Sequence, residues 1–163
     1  MFDFLTSKLA MMIAAIIILV SVLGIYAFQR EQAKDLELNN IADRISGTID
    51  NFNSLSGESK INVTFERGKE GTYVKPTVNG ERYEIVITRI KVFVTLEERR
   101  AVSNLIAPIH LWAPQSNIYN QWQIEENDGD HKILEFMSGE DFKVERKLLE
   151  IDQENEYRTF VYV

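Results

Sequence analysis

The sequence predicts an α+β protein: a long N-terminal helix, one half membrane-length and one half amphipathic, followed by an antiparallel β-sandwich-like domain. Three observations predict it. Leu9 to Phe28 runs for 20 residues without a charged side chain, Leu38, Ile41, Ile45, Ile49 and Phe52 recur at spacings of three and four, and apolar and polar residues alternate from Lys60 onward. The first pattern suits a bilayer core, the second lies on one face of a helix, and the third has the two-residue period of a half-buried strand. The domains read as 1–28 for a transmembrane segment, 29–57 for an amphipathic helix continuing the anchor, and 58–163 for a β-rich globular domain.

At about 1.5 Å rise per residue, the uncharged run spans roughly the 30 Å hydrocarbon core of a bilayer. Only Ser21, Gly24 and Tyr26 interrupt its aliphatic character. Leu9, Met12, Ile13, Ile16, Ile17, Val20, Leu23, Gly24 and Phe28 are the candidate lipid-facing or helix-packing positions. A cleaved signal peptide and a soluble core helix compete with a retained anchor. The run exceeds the roughly 7–15-residue apolar centre of a signal peptide and flows straight into Arg30, Glu31 and Gln32, so retention is the expectation. Lys8 precedes the run and Arg30 and Lys34 follow it, so a count of basic residues alone favours an inside C-terminal domain by one residue.

Beyond the run, the stripe from Leu38 to Phe52 has Asp35, Glu37, Asn39, Asn40, Asp43, Arg44 and Asp50 on its polar side, and Ser54–Gly57 supplies a stop. The stripe must cover either its own domain or a neighbouring helix. Ile61, Val63 and Phe65 then share one strand face. Arg82–Thr88 and Lys91–Leu96 form a hairpin that reverses near Arg89, and Pro108 demotes the middle of Ala101–Trp112 to an edge or bulge. Trp122–Glu126 and Lys132–Met137 are expected to flank an Asp128-Gly129 hairpin turn, and Phe142–Ile151 and Tyr157–Val163 to flank Asp152–Asn155. Seven or eight short strands argue for a sandwich or barrel beside the helix.

Charge and composition narrow the chemistry. Net charge is −7, and all of the excess falls in residues 120–163, where 12 acidic side chains face 5 basic ones. Such a surface repels phosphate backbones, so nucleic acid is not an expected partner. The chain has no cysteine, and His110 and His131 have no second nitrogen ligand nearby in sequence, so no metal or other cofactor is expected. Glu125–Asp130 gathers carboxylates as a calcium loop would. With Gly129 at the sixth loop position the first ligand position falls on Ile124, and a solvated turn reads better.

No nucleophile elbow, phosphate-cradling loop, zinc helix or nucleotide fingerprint occurs, and Ser103 and His110 have no sequence-level reason to converge, so neither an enzyme nor a small-molecule substrate is expected. Glu97–Arg100 reads as a solvated strand end. Asn62-Val63-Thr64 is a glycosylation acceptor pattern, which requires an outside domain. Leu105, Ile106, Ile109, Leu111, Trp112, Tyr119 and Trp122 concentrate apolar surface and read as core.

Lys8 before Leu9–Phe28, the amphipathic stretch Ala33–Phe52 and the β domain together resemble a type IV pilin or archaeal pilin-like protein. The resemblance covers the helical part best. It implies that the apolar helix is stored in the membrane and then packs against other subunits' helices in a filament core, with the globular domain outside; membrane lipid and other pilin-like subunits are the implied partners. Thr6-Ser7-Lys8 lacks the glycine or alanine that precedes the run in familiar prepilins, and Met1–Phe28 lacks the glutamate of bacterial members. An uncleaved accessory protein of a pilus or secretion machine therefore stands beside the subunit reading. The alternative is a single-pass, membrane-anchored extracytoplasmic binding module, similar to the stator proteins of the archaeal swimming filament or binding a surface layer.

Overall fold

A computed structural model describes residues 2–163, with side chains from Ser7 onward; Met1, and the side chain of Thr6 in the stretch Thr6-Ser7-Lys8, lie outside the described residues. The elements are α1 (Phe2–Asn53), β1 (Ser59–Thr64), β2 (Thr72–Tyr73), β3 (Glu84–Thr88), β4 (Lys91–Leu96), β5 (Arg99–Asn104), β6 (Ile118–Tyr119), α2 (Gln121–Asp130), β7 (Ile133–Met137), β8 (Phe142–Ile151) and β9 (Glu154–Tyr162). Two compact units divide the chain, Met1–Leu36 and Glu37–Val163. The described residues of the first are wholly helical.

The second unit contains two sheets. One has the order β2-β1-β8-β6 with β9 on the other edge of β8, and the other has the order β5-β4-β3-β7. Pairing between the named strands is antiparallel except for two two-residue contacts, β1 with β2 and β6 with β8. The alternation legible in the sequence becomes burial: Ile85, Ile87, Val92, Val94 and Leu96 point inward along β3 and β4, and the β3–β4 reversal falls at Arg89-Ile90. The β8–β9 hairpin closes through Asp152 (φ 50°) and Gln153 (φ 75°), the positive-φ pair of a type I′ turn whose twist matches the strands.

Each sheet has one apolar face, and α1 covers what they leave open. Leu38, Ile41, Ile45, Ile49 and Phe52 are each 9% exposed or less and join Val63, Phe142, Val144 and Val161 of the first sheet and Ile85, Val94 and Phe136 of the second in one core. Here the stripe covers its own domain. Polar contacts fix the rotation of the helix: Ser103 Oγ donates to Asp43 Oδ1 at 2.9 Å and lies 2.7 Å from Ser46 Oγ, while Asp50 Oδ1 accepts the Ile106 N–H at 2.9 Å. Glu37 pairs with Lys75. The helix stops where Ser54 Oγ bonds back to the Asn51 carbonyl and the Arg146 Nε donates to the Leu55 carbonyl at 2.7 Å.

The strand and turn expected over Trp122–Asp130 are absent. Trp122–Glu126 is not a strand, and Asn127–Asp130 is not a hairpin turn; both lie in α2. Asn120 caps this helix: its side chain accepts the Gln123 N–H at 2.8 Å, and Gln123 Oε1 accepts the Asn120 N–H at 3.0 Å. That reciprocal pair satisfies two donors at the helix start and outweighs the turn preference of Asp128-Gly129, which falls in the last turn. The strand expected within Ala101–Trp112 ends at Asn104, four residues before Pro108.

Ile45 is fully buried at the centre of the stripe. Ile45→Ala should lower unfolding free energy by roughly 2–5 kcal/mol, because a cavity replaces close-packed methyl groups. Urea titration of the full chain in an uncharged detergent, followed by tryptophan fluorescence, measures it; a loss below about 1 kcal/mol would show that the stripe does not close the core.

Candidate functional site

The first unit presents an apolar surface. Leu9, Met12, Ile13, Ile16, Ile17, Val20, Leu23 and Phe28 are each between 50% and 65% exposed, and the most apolar 18-residue window of the helix has a mean hydropathy of 2.7 with none of it buried. By length and composition this helix can cross a membrane. Ser21 donates to the Ile17 carbonyl at 2.8 Å, so the hydroxyl in mid-run is satisfied within the helix. At Gly24 a Cβ would meet nothing within 4 Å, leaving the backbone open to close approach by another helix.

The second unit holds a buried polar hub that sequence reasoning set aside. The loop from Leu105 to Trp112 crosses between the sheets. Leu105 and Ile109 donate backbone N–H groups to Ile90 and Arg89, each at 2.9 Å, and His110 exchanges backbone bonds with Thr159 and Val161 of β9 at 2.9 and 2.8 Å. This path carries His110 to Asp128, whose Oδ1 accepts from His110 Nδ1 at 2.7 Å and from Trp112 Nε1 at 3.0 Å. Arg89 Nη2 lies 3.2 Å from Asp128 Oδ2. Phe160 packs edge-on to Trp112, with ring centroids 4.9 Å apart.

Burial opposes ionisation of Asp128, but the hydrogen bonds from His110 and Trp112 and attraction to His110 and Arg89 outweigh it and hold the carboxyl below the ordinary carboxylate range. Both carboxylate oxygens are engaged by protein donors, so Asp128 acts as a structural acceptor joining α2, the crossing loop and the β3–β4 reversal. The sequence carried a usable signal: Asn120 and Gln123 at capping-box spacing, then Ile124 and Asp128 four apart on one helical face.

The other sequence-marked residues fall as follows. Asn62 is exposed within β1, whereas Thr64 of the same acceptor pattern is fully buried and its Oγ1 accepts the Glu66 N–H at 3.2 Å. Leu105, Ile109, Leu111 and Trp112 are buried, but Ile106 and Trp122 are 87% and 65% exposed. Ser103 bonds Asp43 and Ser46, while His110 bonds Asp128. Among the described residues, no three His, Asp or Glu side chains gather as a metal ion would require.

Fold and surface define the class: an α+β chain with an exposed, membrane-length apolar helix and a sandwich-like domain. No protein-family model, curated protein or solved structure matches it.

The depressed Asp128 carboxyl sets a pH dependence. The stability it contributes is complete above its unfolded pKa of about 3.8 and is lost as pH falls through the lower folded value. Asp128→Asn should cost roughly 2–4 kcal/mol at pH 7, and the gap from the parent should narrow in acid below about pH 4. Denaturant titrations at several pH values measure it; a gap that persists unchanged into strong acid would remove this role.

Proposed function

We propose that the protein is a structural, non-enzymatic component of a type IV pilus-like filament or secretion assembly, either a pilin-like subunit or an accessory protein. Leu9–Phe28 holds it in the membrane and packs against helices of neighbouring subunits on assembly. The single observation that carries this reading is the exposure of the apolar helix. Burying eight side chains of this kind is worth on the order of 12–24 kcal/mol, as much as or more than the whole stability of a typical domain. A surface of that energy demands lipid or other helices around it. Exchange between those two environments costs little, since lipid tails and aliphatic side chains are equally apolar, and Gly24 favours the close packing that drives helices together in the absence of water.

The extracytoplasmic placement of the domain is part of the same proposal. It is supported by the pilin-like order of anchor, amphipathic helix and β domain, and by the surface position of Asn62. A second reading, a membrane-tethered extracytoplasmic binding module, is favoured by a small arginine-lined cleft in the β domain.

The absence of cysteine gives a direct test. Gln153→Cys places a single thiol at an exposed turn. A membrane-impermeant maleimide added to intact cells should label this variant, the protein should resist alkaline extraction from membranes, and shearing should release it in a high-molecular-weight fraction. Labelling only after lysis would overturn the outside placement. External labelling of a chain that stays monomeric in mild detergent and never enters the sheared fraction would replace the filament reading with the tethered module.

A further inference from the structure

We propose that a cleft in the β domain, between the end of α1, the β3–β4 reversal and β9, binds the oxyanion group of a small carboxylate- or phosphate-bearing ligand. The cleft encloses ≈ 320 Å³ and is lined by Arg89, Arg146 and Arg158 together with Asn53, His110 and Tyr157, and none of its lining residues is Asp or Glu. This is an unexpected composition. Arg146 and Arg158 are two of only 5 basic residues in the segment 120–163, which holds 12 acidic ones. Asp128 and Glu156 offset part of the repulsion among the three guanidinium groups, and a small anion in the cleft would offset the rest.

Each guanidinium is steadied by the protein without being consumed by it. Arg146 donates Nε to the Leu55 carbonyl at 2.7 Å and Nη1 to Thr159 Oγ1 at 3.1 Å, and its guanidinium lies 5.4 Å from the Tyr157 ring centroid. Arg89 is tethered through Nη2 to Asp128, and Arg158 through Nη2 to Glu156. A guanidinium carries five N–H donors, so donors remain on all three. Arg158 Nε is the telling atom: it is buried and has no hydrogen-bond partner among the described residues. Such an orphaned donor is costly, and a small turn of the Arg158 side chain that brought it to a ligand oxygen would remove the cost.

A purely structural account covers only part of this. Arg146 caps the chain leaving α1, and Arg89 supports Asp128. Neither role requires Arg158 beside them or explains the lack of carboxylates in the lining. The planar fork of arginine matches carboxylate and phosphate oxygens, and the volume suits a ligand no larger than an acidic sugar. An adjoining cleft of ≈ 420 Å³ shares Arg89, His110 and Arg158 and adds Gln121, Glu125, Asp128 and Lys132, whose polar groups suit the hydroxyls of such a ligand while its oxyanion stays in the carboxylate-free cleft. All of these residues lie within Glu37–Val163, so the proposal is independent of what surrounds the apolar helix.

The test uses the full chain in an uncharged maltoside micelle, titrated with sodium phosphate and separately with sodium glucuronate at constant ionic strength set by chloride. The Arg158 Nε–H resonance should shift saturably with at least one of them, and the tighter of the two identifies the oxyanion source. Arg158→Gln should weaken binding roughly tenfold, whereas Glu156→Gln, which removes the competing carboxylate, should strengthen it about threefold. Glu156 is partly exposed, so this second variant remains informative if Arg158→Gln fails to fold. A linear, unsaturable response to both anions, or an affinity unchanged by Glu156→Gln, would overturn the proposal.

Discussion

Burial of one helical stripe governs the second unit. Two sheets that each bury a single face need a cover, and Leu38, Ile41, Ile45, Ile49 and Phe52 provide it by entering the core shared by both sheets. The same helix meets a different demand before Leu36, where apolar residues surround the axis instead of marking one side. A helix apolar all round needs an apolar surrounding, and a helix apolar on one side needs a domain. One element thus answers to two environments, and the change from one pattern to the other is written in its sequence.

Much of the fold was legible because it rests on periodicity. The stripe spacing, the alternation along Glu84–Thr88 and Lys91–Leu96, and the long strand Phe142–Ile151 are local patterns that packing reinforces. The failure at Gln121–Asp130 has an equally local cause. Two signals competed there, a capping box beginning at Asn120 and an Asp-Gly turn dipeptide. The cap won because it engages two backbone donors at once, whereas glycine in a final helical turn costs only about 1 kcal/mol. Polar residues of α1 gave a subtler difference. Asp43 and Asp50, which read as a solvated face, accept hydrogen bonds from Ser103 and the Ile106 backbone and lock the helix onto the β domain.

The buried hub and the arginine cleft were not legible, for a topological reason. Arg89 sits in a β-turn, His110 in a loop, Asp128 on a short helix, and Arg146 and Arg158 on paired strands. No motif spacing connects them. They meet because the loop from Leu105 to Trp112 hydrogen-bonds to the β3–β4 reversal on one side and to β9 on the other, joining the two sheets. The sequence places no second nitrogen ligand near His110 and says nothing of an acceptor for its ring. Its partner is 18 positions away on a helix that was itself misread.

Charge ties these features together. A net charge of −7 with its acidic excess near the C-terminus works against the approach of polyanions, since a long phosphate chain would meet many carboxylates at once. A small anion faces no such requirement. Inside a cleft walled by low-dielectric protein, Arg89, Arg146 and Arg158 outnumber the carboxylates that pair with them, Asp128 and Glu156, so the local sign opposes that of the whole surface. On the proposed reading the combination selects by size, an acidic surface opposing extended anions and the cleft favouring compact ones. A domain displayed beside a membrane or along a filament would then discriminate between soluble acids and charged polymers without any contact specific to either.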